Sequence, residues 1–291
     1  MVTIHELNIN LKSLLKQNNI ENYTFEAHCI LEHVLELSYE QLIIKSNAYI
    51  SSQQIEIIQR IADKRISGYP LQYILGEWEF YGLPFYVGEG VLIPRQDTEK
   101  LVDSILEIAA PIRNPKIIDL CSGTGCIAIA LDKHLINSQI CAVEHSPEAL
   151  KFLLRNIHLN GSAVNAYDGN VLNKEFSKTF SDINIIAANP PYLTPEDMIN
   201  LQKEVSFEPE MALLGGNDGL FFYRNITSIW KDCLADKGTL IYEIGIGQEN
   251  AVADIMEEYG FKNIQFQTDL NGLIRVVSGV YNISKQNHQP S

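Results

Sequence analysis

Paired cysteines, basic excess and long apolar runs are all missing from this chain, and each absence removes a class of function. Five cysteines, at positions 29, 121, 126, 141 and 233, make no CxxC pair and no finger-like spacing, and their number is odd. That argues against a disulfide scaffold or a zinc finger and predicts reduced thiols in a reducing compartment. Acidic residues outnumber basic ones 36 to 22, a formal net charge of −14. A surface built to wrap phosphate backbones needs clustered Lys and Arg, so direct nucleic-acid binding is not expected. The first residues show no basic segment followed by an apolar run, and no stretch is apolar for the thickness of a bilayer. Together these readings predict a cytoplasmic protein without membrane contact. No internal repeat, low-complexity tract, Ser/His/Asp set or metal-ligand cluster is present; His28 and His33 are five apart and do not share one helix face.

What is there is an ordinary globular composition, 46% hydrophobic and 20% charged over 291 residues, enough for one large or two ordinary domains. Residues 1–70 read as a small helical domain. Ile4, Leu7, Leu11, Leu14 and Leu15 recur at helical spacing, and Phe25, Cys29, Leu31, Val34 and Leu35 form a second set. A third begins after Ser51-Ser52, runs through Ile55, Ile58 and Ile61, and closes at Gly68. In 71–90, Trp78, Phe80, Tyr81, Phe85 and Tyr86 crowd around Gly82 and Pro84, which predicts a hairpin linker. Asp97 is a candidate cap for a helix running to Pro111, and Arg95 reads better as a structural ion pair than as a reacting group.

From residue 115 strand and helix alternate. Strands are predicted at 116–120, 139–143, 163–167, 183–188, 238–243, 263–268 and 273–280. Helices are predicted at 126–134, from Ser146 as cap with Pro147 first and Gly161 beyond the end, and near 219–234 and 247–259. Alternation of this kind makes a doubly wound α/β sheet. Only residues 269–272 join the last two strands, too few for a crossover helix, so that pair is predicted antiparallel. This is the arrangement of S-adenosylmethionine (SAM)-dependent methyltransferases, a Rossmann-like sheet with an antiparallel last strand, over 91–283. The tail, 284–291, is polar and expected to be disordered.

Two stretches carry chemistry. Cys121-Ser122-Gly123-Thr124-Gly125 turns from the first strand into a helix, where glycines permit close backbone approach and free N–H groups face a ligand. Glu144 ends the next strand and can accept ribose hydroxyls. Ala128 completes a permitted variant of the NAD fingerprint, so spacing leaves NAD and SAM both open. Asn170 and Val171 follow the third strand, as candidates for an adenine contact or as a plain turn. The second stretch is Asn189-Pro190-Pro191-Tyr192, at the end of the run Ile183-Asn184-Ile185-Ile186-Ala187-Ala188. Proline stops the strand, at the sheet edge where ligands bind. The Asn189 carbonyl oxygen and the Pro190 carbonyl could grip an –NH2 group while Tyr192 covers its flat face; a strand-ending loop is the plainer reading.

The segments Leu92-Ile93-Pro94-Arg95-Gln96-Asp97-Thr98-Glu99, 119–125, Asn189-Pro190-Pro191-Tyr192 and Phe207-Glu208-Pro209-Glu210-Met211-Ala212-Leu213 stand in the order seen in the PrmC/HemK proteins, which the chain resembles over nearly its whole length. These are the glutamine methyltransferases of peptide chain release factors. The resemblance implies SAM as cofactor and release factors as partners, with the amide nitrogen of the glutamine in their Gly-Gly-Gln loop as methyl acceptor. It implies contacts to SAM from Cys121, Ser122, Gly123, Thr124, Gly125, Glu144 and Asn189, with Asn170 and Val171 beside the adenine. It implies Asn189, Pro190, Pro191 and Tyr192 around the glutamine, with Asn189, Pro190 and Tyr192 as the catalytic set and the helical domain recognising the release factor. Cys121 stands where many members have Gly, and Asn170 where Asp is usual. Other acceptors compatible with the same turn are a ribosomal-protein glutamine and a nucleic-acid adenine amino group.

Overall fold

The computed structural model describes residues 2–269 and 271–283, and the polar tail expected at 284–291 lies outside them. Two compact units emerge, residues 1–76 with 202–207, and residues 77–201 with 208–291. The helical unit thus runs past the expected residue 70 and takes in a short segment from far along the chain.

The first unit holds β1 (Val2–Thr3), α1 (Ile4–Gln17), α2 (Tyr23–Leu35), α3 (Tyr39–Ile44), β2 (Tyr49–Ile50), α4 (Ser52–Ile66) and α5 (Leu71–Leu75). Capping boxes start α1, α3 and α4, pairing Thr3 with Glu6, Ser38 with Gln41 and Ser51 with Gln54. The core is made by Leu11, Leu15, Ile30, Leu31, Ile58 and Ala62. On α2 the buried face is Ala27, Ile30 and Leu31, while Phe25, expected inside, is exposed. A buried charge explains the shift. Glu26 faces inward to accept from Arg65 Nε at 2.6 Å and Nη2 at 3.0 Å, and Arg65 also pairs with Glu204 at 2.5 Å. Glu204 and Phe207, whose ring lies 5.1 Å from Tyr69, tie 202–207 into this unit.

The second unit opens with the expected hairpin, β3 (Glu77–Phe80) and β4 (Leu83–Tyr86). Phe80 pairs with Leu83, leaving Tyr81 and Gly82 as a two-residue turn with φ of 54° and 72°, the mirror-image turn that matches strand twist. Then follow α6 (Glu99–Ala109), β5 (Lys116–Leu120), α7 (Cys126–His134), β6 (Gln139–Glu144), α8 (Pro147–Leu159), β7 (Asn165–Asp168), α9 (Lys174–Ser177), β8 (Ile183–Ala188), α10 (Pro195–Ile199), α11 (Phe221–Trp230), β9 (Leu234–Glu243), α12 (Glu249–Glu258), β10 (Lys262–Thr268) and β11 (Ile274–Tyr281). The sheet order is β10-β11-β9-β8-β5-β6-β7, and β11 alone runs against its neighbours. This is the fold class expected from the sequence.

Apolar residues alternate between the two faces. Ile117, Ile185 and Ile241 pack with α6, α7 and the hairpin's Phe80 and Phe85, while Ile118, Ile186 and Leu240 pack with α11 and α12. Asp97 does not cap a helix: its carboxylate pairs with Arg275 at 2.7 Å, and α6 begins after a 3-10 turn over 96–98. The expected helix at 219–234 ends at Trp230, and β9 starts four residues earlier than expected, with a pairing irregularity opposite Ile183 and Ile185.

Asn156, buried on α8, joins the hairpin to the loop before α7. Its Nδ2 donates to Tyr86 O (3.1 Å) and Thr124 O (3.0 Å), and its Oδ1 accepts from Tyr86 N (2.7 Å). Asn156→Ala should lower the unfolding free energy by about 2–4 kcal/mol, since it leaves buried peptide groups unpaired. Urea unfolding measures this, and a loss under about 1 kcal/mol would mean that water or repacking replaces the link.

Candidate active site

Strand register builds the site. Leu120 of β5 lies opposite Val143 of β6 and Ala188 of β8, and Ala188 lies opposite Tyr242 of β9. The next residues, Glu144, Cys121, Asn189 and Glu243, therefore leave four adjacent parallel strand ends abreast. The chain winds from β5 to β6 and β7 on one side and returns through β8 and β9 on the other. The gap between β5 and β8 is thus the switch point, where such sheets bind ligands.

A cavity of about 530 Å³ sits there. Cys121, Ser122, Gly123, Thr124, Glu144, Asn170, Val171, Asn189 and Pro191 line it, together with residues 209–212. Gly125, Pro190 and Tyr192 do not line it. Gly125 opens α7 at φ 80°, and a Cβ there would meet Leu153 Cδ1 at 2.3 Å, so its role is to let the helix close on α8. Cys121 has φ 58°. That left-handed conformation suits glycine and costs an L-residue about 1–2 kcal/mol.

The loop is braced from inside. Ser122 Oγ donates to Asp119 O at 2.7 Å, Ser122 N to Val143 O at 3.1 Å, and Gly125 N to Ser122 O at 2.7 Å. Glu144 accepts from Gly123 N (2.8 Å), His145 N (2.8 Å) and Ser146 N (2.7 Å). A carboxylate has about four acceptor sites, so one remains for a ligand hydroxyl rather than two. Asn170 Oδ1 accepts from Leu172 N at 2.9 Å, closing a local turn, and Val171 O is held by Trp230 Nε1 at 2.8 Å.

The turn after β8 is held from several sides. Asn189 Nδ2 donates to Thr98 Oγ1 at 3.3 Å. The Tyr192 ring packs on the core over β8 and β9, and Gln248 Nε2 donates to Tyr192 O at 3.0 Å. Burial pushes the Tyr192 hydroxyl up to about 12. Leu193 exchanges hydrogen bonds with Leu213 and Gly215, which anchors the end of the 207–213 segment. That segment divides: Phe207 belongs to the helical unit, Glu208 is buried in an ion pair with Arg95 and accepts from Ile93 N at 3.0 Å, and 209–212 line the cavity. Arg95 is therefore a structural partner, as the sequence suggested.

Thr98, Asp119, Glu243 and Gln248 were not singled out by sequence reasoning. The missed signal is a carboxylate inside or closing an apolar parallel strand, as in Ile117-Ile118-Asp119-Leu120 and Leu240-Ile241-Tyr242-Glu243. Asp119 is wholly buried, and neither oxygen completes a hydrogen bond. Burial raises it to about 8, offset only in part by the nearby Ser122 hydroxyl and Ala128 N–H. Burial likewise raises Glu243 to about 7, opposed by Thr98, Arg275 and Asn189, and its Oε2 has no partner. Among the described residues, no Lys or Arg lines the cavity. Glu144 and Glu210 line it instead, which suits a cationic ligand and opposes a pyrophosphate.

Comparison with known proteins agrees with this geometry. Residues 6–76 match the PrmC N-terminal domain model, and residues 97–207 match the methyltransferase small domain model. The chain is 39% identical to the release factor glutamine methyltransferase of Thermodesulfovibrio yellowstonii, over 92% of this chain and 97% of that one. It is 36% identical to the protein of the same name from Geobacter sulfurreducens, over 92% and 93%. A 16S rRNA methyltransferase of T. thermophilus, solved in complex with AdoMet and guanosine, shares the fold at a TM-score of 0.52 and 15% identity, covering 71% of this chain and 50% of that one. By sequence over nearly its full length and by the architecture of both units, this chain belongs to the release factor glutamine methyltransferase family.

Proposed function

We propose that this chain transfers a methyl group from SAM to the side-chain amide nitrogen of the glutamine in the Gly-Gly-Gln loop of class I peptide chain release factors. Family membership supports the enzyme class, the cofactor and the release-factor substrate. The observation that carries the chemistry is that Asn189 and the 121–124 loop line one cavity. SAM, when bound, supplies an electrophilic sulfonium methyl. The residues present fit such a group: Glu144 keeps one acceptor site, Glu144 and Glu210 line the cavity, and no Lys or Arg lines it among the described residues. Cys121, Ser122, Gly123, Thr124, Glu144, Asn170 and Val171 would hold it, with Gly125 setting the loop's exit into α7.

A carboxamide nitrogen is a weak nucleophile because its lone pair is delocalised into the carbonyl. The chain's task is therefore orientation. Asn189 Oδ1, on the cavity wall, accepts one N–H of the substrate amide, which limits rotation of the –NH2 group and aims its partial lone pair; the Pro190 carbonyl, expected as the second acceptor, is not among the groups lining the cavity. Such positioning is worth about 7–11 kcal/mol in favourable cases. Pro191 walls the cavity, and Tyr192 secures the turn from the core side. The N-methyl amide's extra proton is acidic and leaves afterward, so no tuned base is needed first. We assign recognition of the release factor to the helical unit. The five free cysteines and the translation-factor substrate favour the cytoplasm, and the −14 charge favours a protein substrate over nucleic acid. No helix among the described residues is long and apolar enough to cross a membrane.

Tritiated SAM offered with release factor, with its loop Gln→Ala version, and with DNA or RNA should label only the first. Asn189→Ala should lower kcat by about 100-fold or more while SAM affinity changes by less than about fivefold; near-normal turnover would remove the orientation mechanism.

Asp119 has a consequence for stability. Its unfolded carboxyl ionises near 3.9, whereas the folded one holds its proton up to about 8. Between those values the unfolded chain binds fewer protons, so this group makes stability fall as pH rises. Asp119→Asn should therefore raise the Tm of the ligand-free protein more at pH 8 than at pH 5. Calorimetry at both pH values checks this; a pH-independent difference would show that Asp119 is ionised in the fold.

A further inference from the structure

We propose that Glu243, acting with Thr98, decides which way the Asn189 carboxamide faces, and is a positioning residue for methyl transfer. This rests on the reading of Asn189 Oδ1 as an acceptor for the substrate amide.

An asparagine amide has two nearly isosteric ends with opposite hydrogen-bonding character. Rotated by half a turn, Asn189 would present N–H to the substrate's own N–H, and the grip would be lost. Something must select one orientation, and the neighbours of Asn189 do so. Register sets Glu243 abreast of Asn189, each one residue beyond the Ala188–Tyr242 pair. Thr98 and Glu243 are 2% and 3% exposed, so bulk water does not compete at this end of the amide. Asn189 Nδ2 donates to Thr98 Oγ1 at 3.3 Å. The Thr98 hydroxyl and the Asn189 amide both lie close enough to the Glu243 carboxyl to favour its charged form.

The direction of this chain of bonds follows from the carboxylate. Above about pH 7 the Glu243 carboxyl is ionised and only accepts, so the Thr98 hydroxyl turns its donor toward it and has its lone pairs left for Asn189. Both groups facing this end of Asn189 are then acceptors, and Nδ2 turns toward them. Oδ1 is left for the cavity that Asn189 lines. A glutamine at 243 carries donors as well as an acceptor, so it satisfies Thr98 in either direction and removes the selection while keeping the shape. The charges facing Glu243 are Arg275 from β11 and Asp97 from the turn before α6, with the Tyr192 and Tyr223 hydroxyls also in range. Arg275 is itself engaged, with Asp97 at 2.7 Å and Asp269 at 3.2 Å. Glu243 is thus a buried carboxyl with one oxygen unpartnered. Such a group is costly to bury, and orienting Asn189 gives it a use.

Four variants decide the matter: Glu243→Gln, Thr98→Val, Thr98→Ser and the Glu243→Gln/Thr98→Val double. Release-factor methylation would be measured at saturating SAM and substrate, SAM affinity by titration calorimetry, and Tm by scanning calorimetry. Glu243→Gln and Thr98→Val should each lower kcat by about tenfold or more, with SAM affinity within about threefold. Thr98→Ser, which keeps the hydroxyl, should stay within about twofold of wild type. The double variant should be no slower than the worse single one, because the two residues act on one amide. The proposal is overturned if Glu243→Gln keeps kcat within about twofold, if Thr98→Ser loses as much as Thr98→Val, or if the single losses multiply. Should Glu243→Gln not fold, Thr98→Val against Thr98→Ser still decides. Asn189→Ala separates the two levels: full turnover there removes the grip itself, whereas collapse there with an active Glu243→Gln removes only this orientation device.

Discussion

The site depends on the parallel pairing of β8 with β5 and β9. A parallel ladder keeps the C-terminal ends of its strands on one side, so whatever follows Leu120, Ala188 and Tyr242 is brought together without further help. Both faces of these strands are apolar and buried, so polarity alone does not choose the register. The strand ends do. Pro190 and Pro191 have no N–H to offer the ladder, which stops β8 directly after Ala188. At the other end of the strand pair, Lys116 N donates to Asn184 Oδ1 at 2.9 Å.

That geometry carries a cost. Asp119, Glu144 and Glu243 gather at the ends of three of these strands, where unpaired charge is expensive. Each is handled differently. Glu144 is held by three backbone N–H groups that converge on it. Asp119 has no such partners and keeps its proton over a wide range of pH. Glu243 lies between, with Thr98, Asn189 and Arg275 near enough to favour its charged form and one oxygen without a partner. A fold under selection for stability alone would replace the latter two with apolar residues; strongly shifted carboxyls buried at the strand ends beside a cavity are a pattern of binding or reacting sites.

Rigidity of the turn after β8 comes from close packing. A Cβ at Gly215 would meet Tyr192 Cα at 2.6 Å and Pro191 O at 2.7 Å, so only glycine lets the 213–215 segment lie against the turn. Gln248 closes the other side by holding the Tyr192 carbonyl. The turn is thus backed by core rather than by solvent, which limits its freedom, as the proposed orientation mechanism requires.

Local physics determined much of this protein from sequence alone. Apolar runs ended by Gly, Pro or a cap gave the strands and most helices of the second unit, the Tyr81-Gly82 turn, the Ser146-Pro147 start of α8 and the antiparallel closing pair, because each is settled within a few residues. The glycine loop and the Asn-Pro-Pro-Tyr turn were legible for the same reason, and their shared cavity follows from strand order. Tertiary structure decided what depends on distant partners. Thr98 meets Asn189 from 91 positions away, and Arg65 meets Glu204 from 139. Asp97 gives up a cap for Arg275, and Phe25 yields the inner face of α2 to Glu26 because a buried arginine waits there. Periodicity reports only which residues avoid water. Which buried carboxyl meets which hydroxyl is set by sheet register and helix packing, and no run of neighbouring residues encodes that.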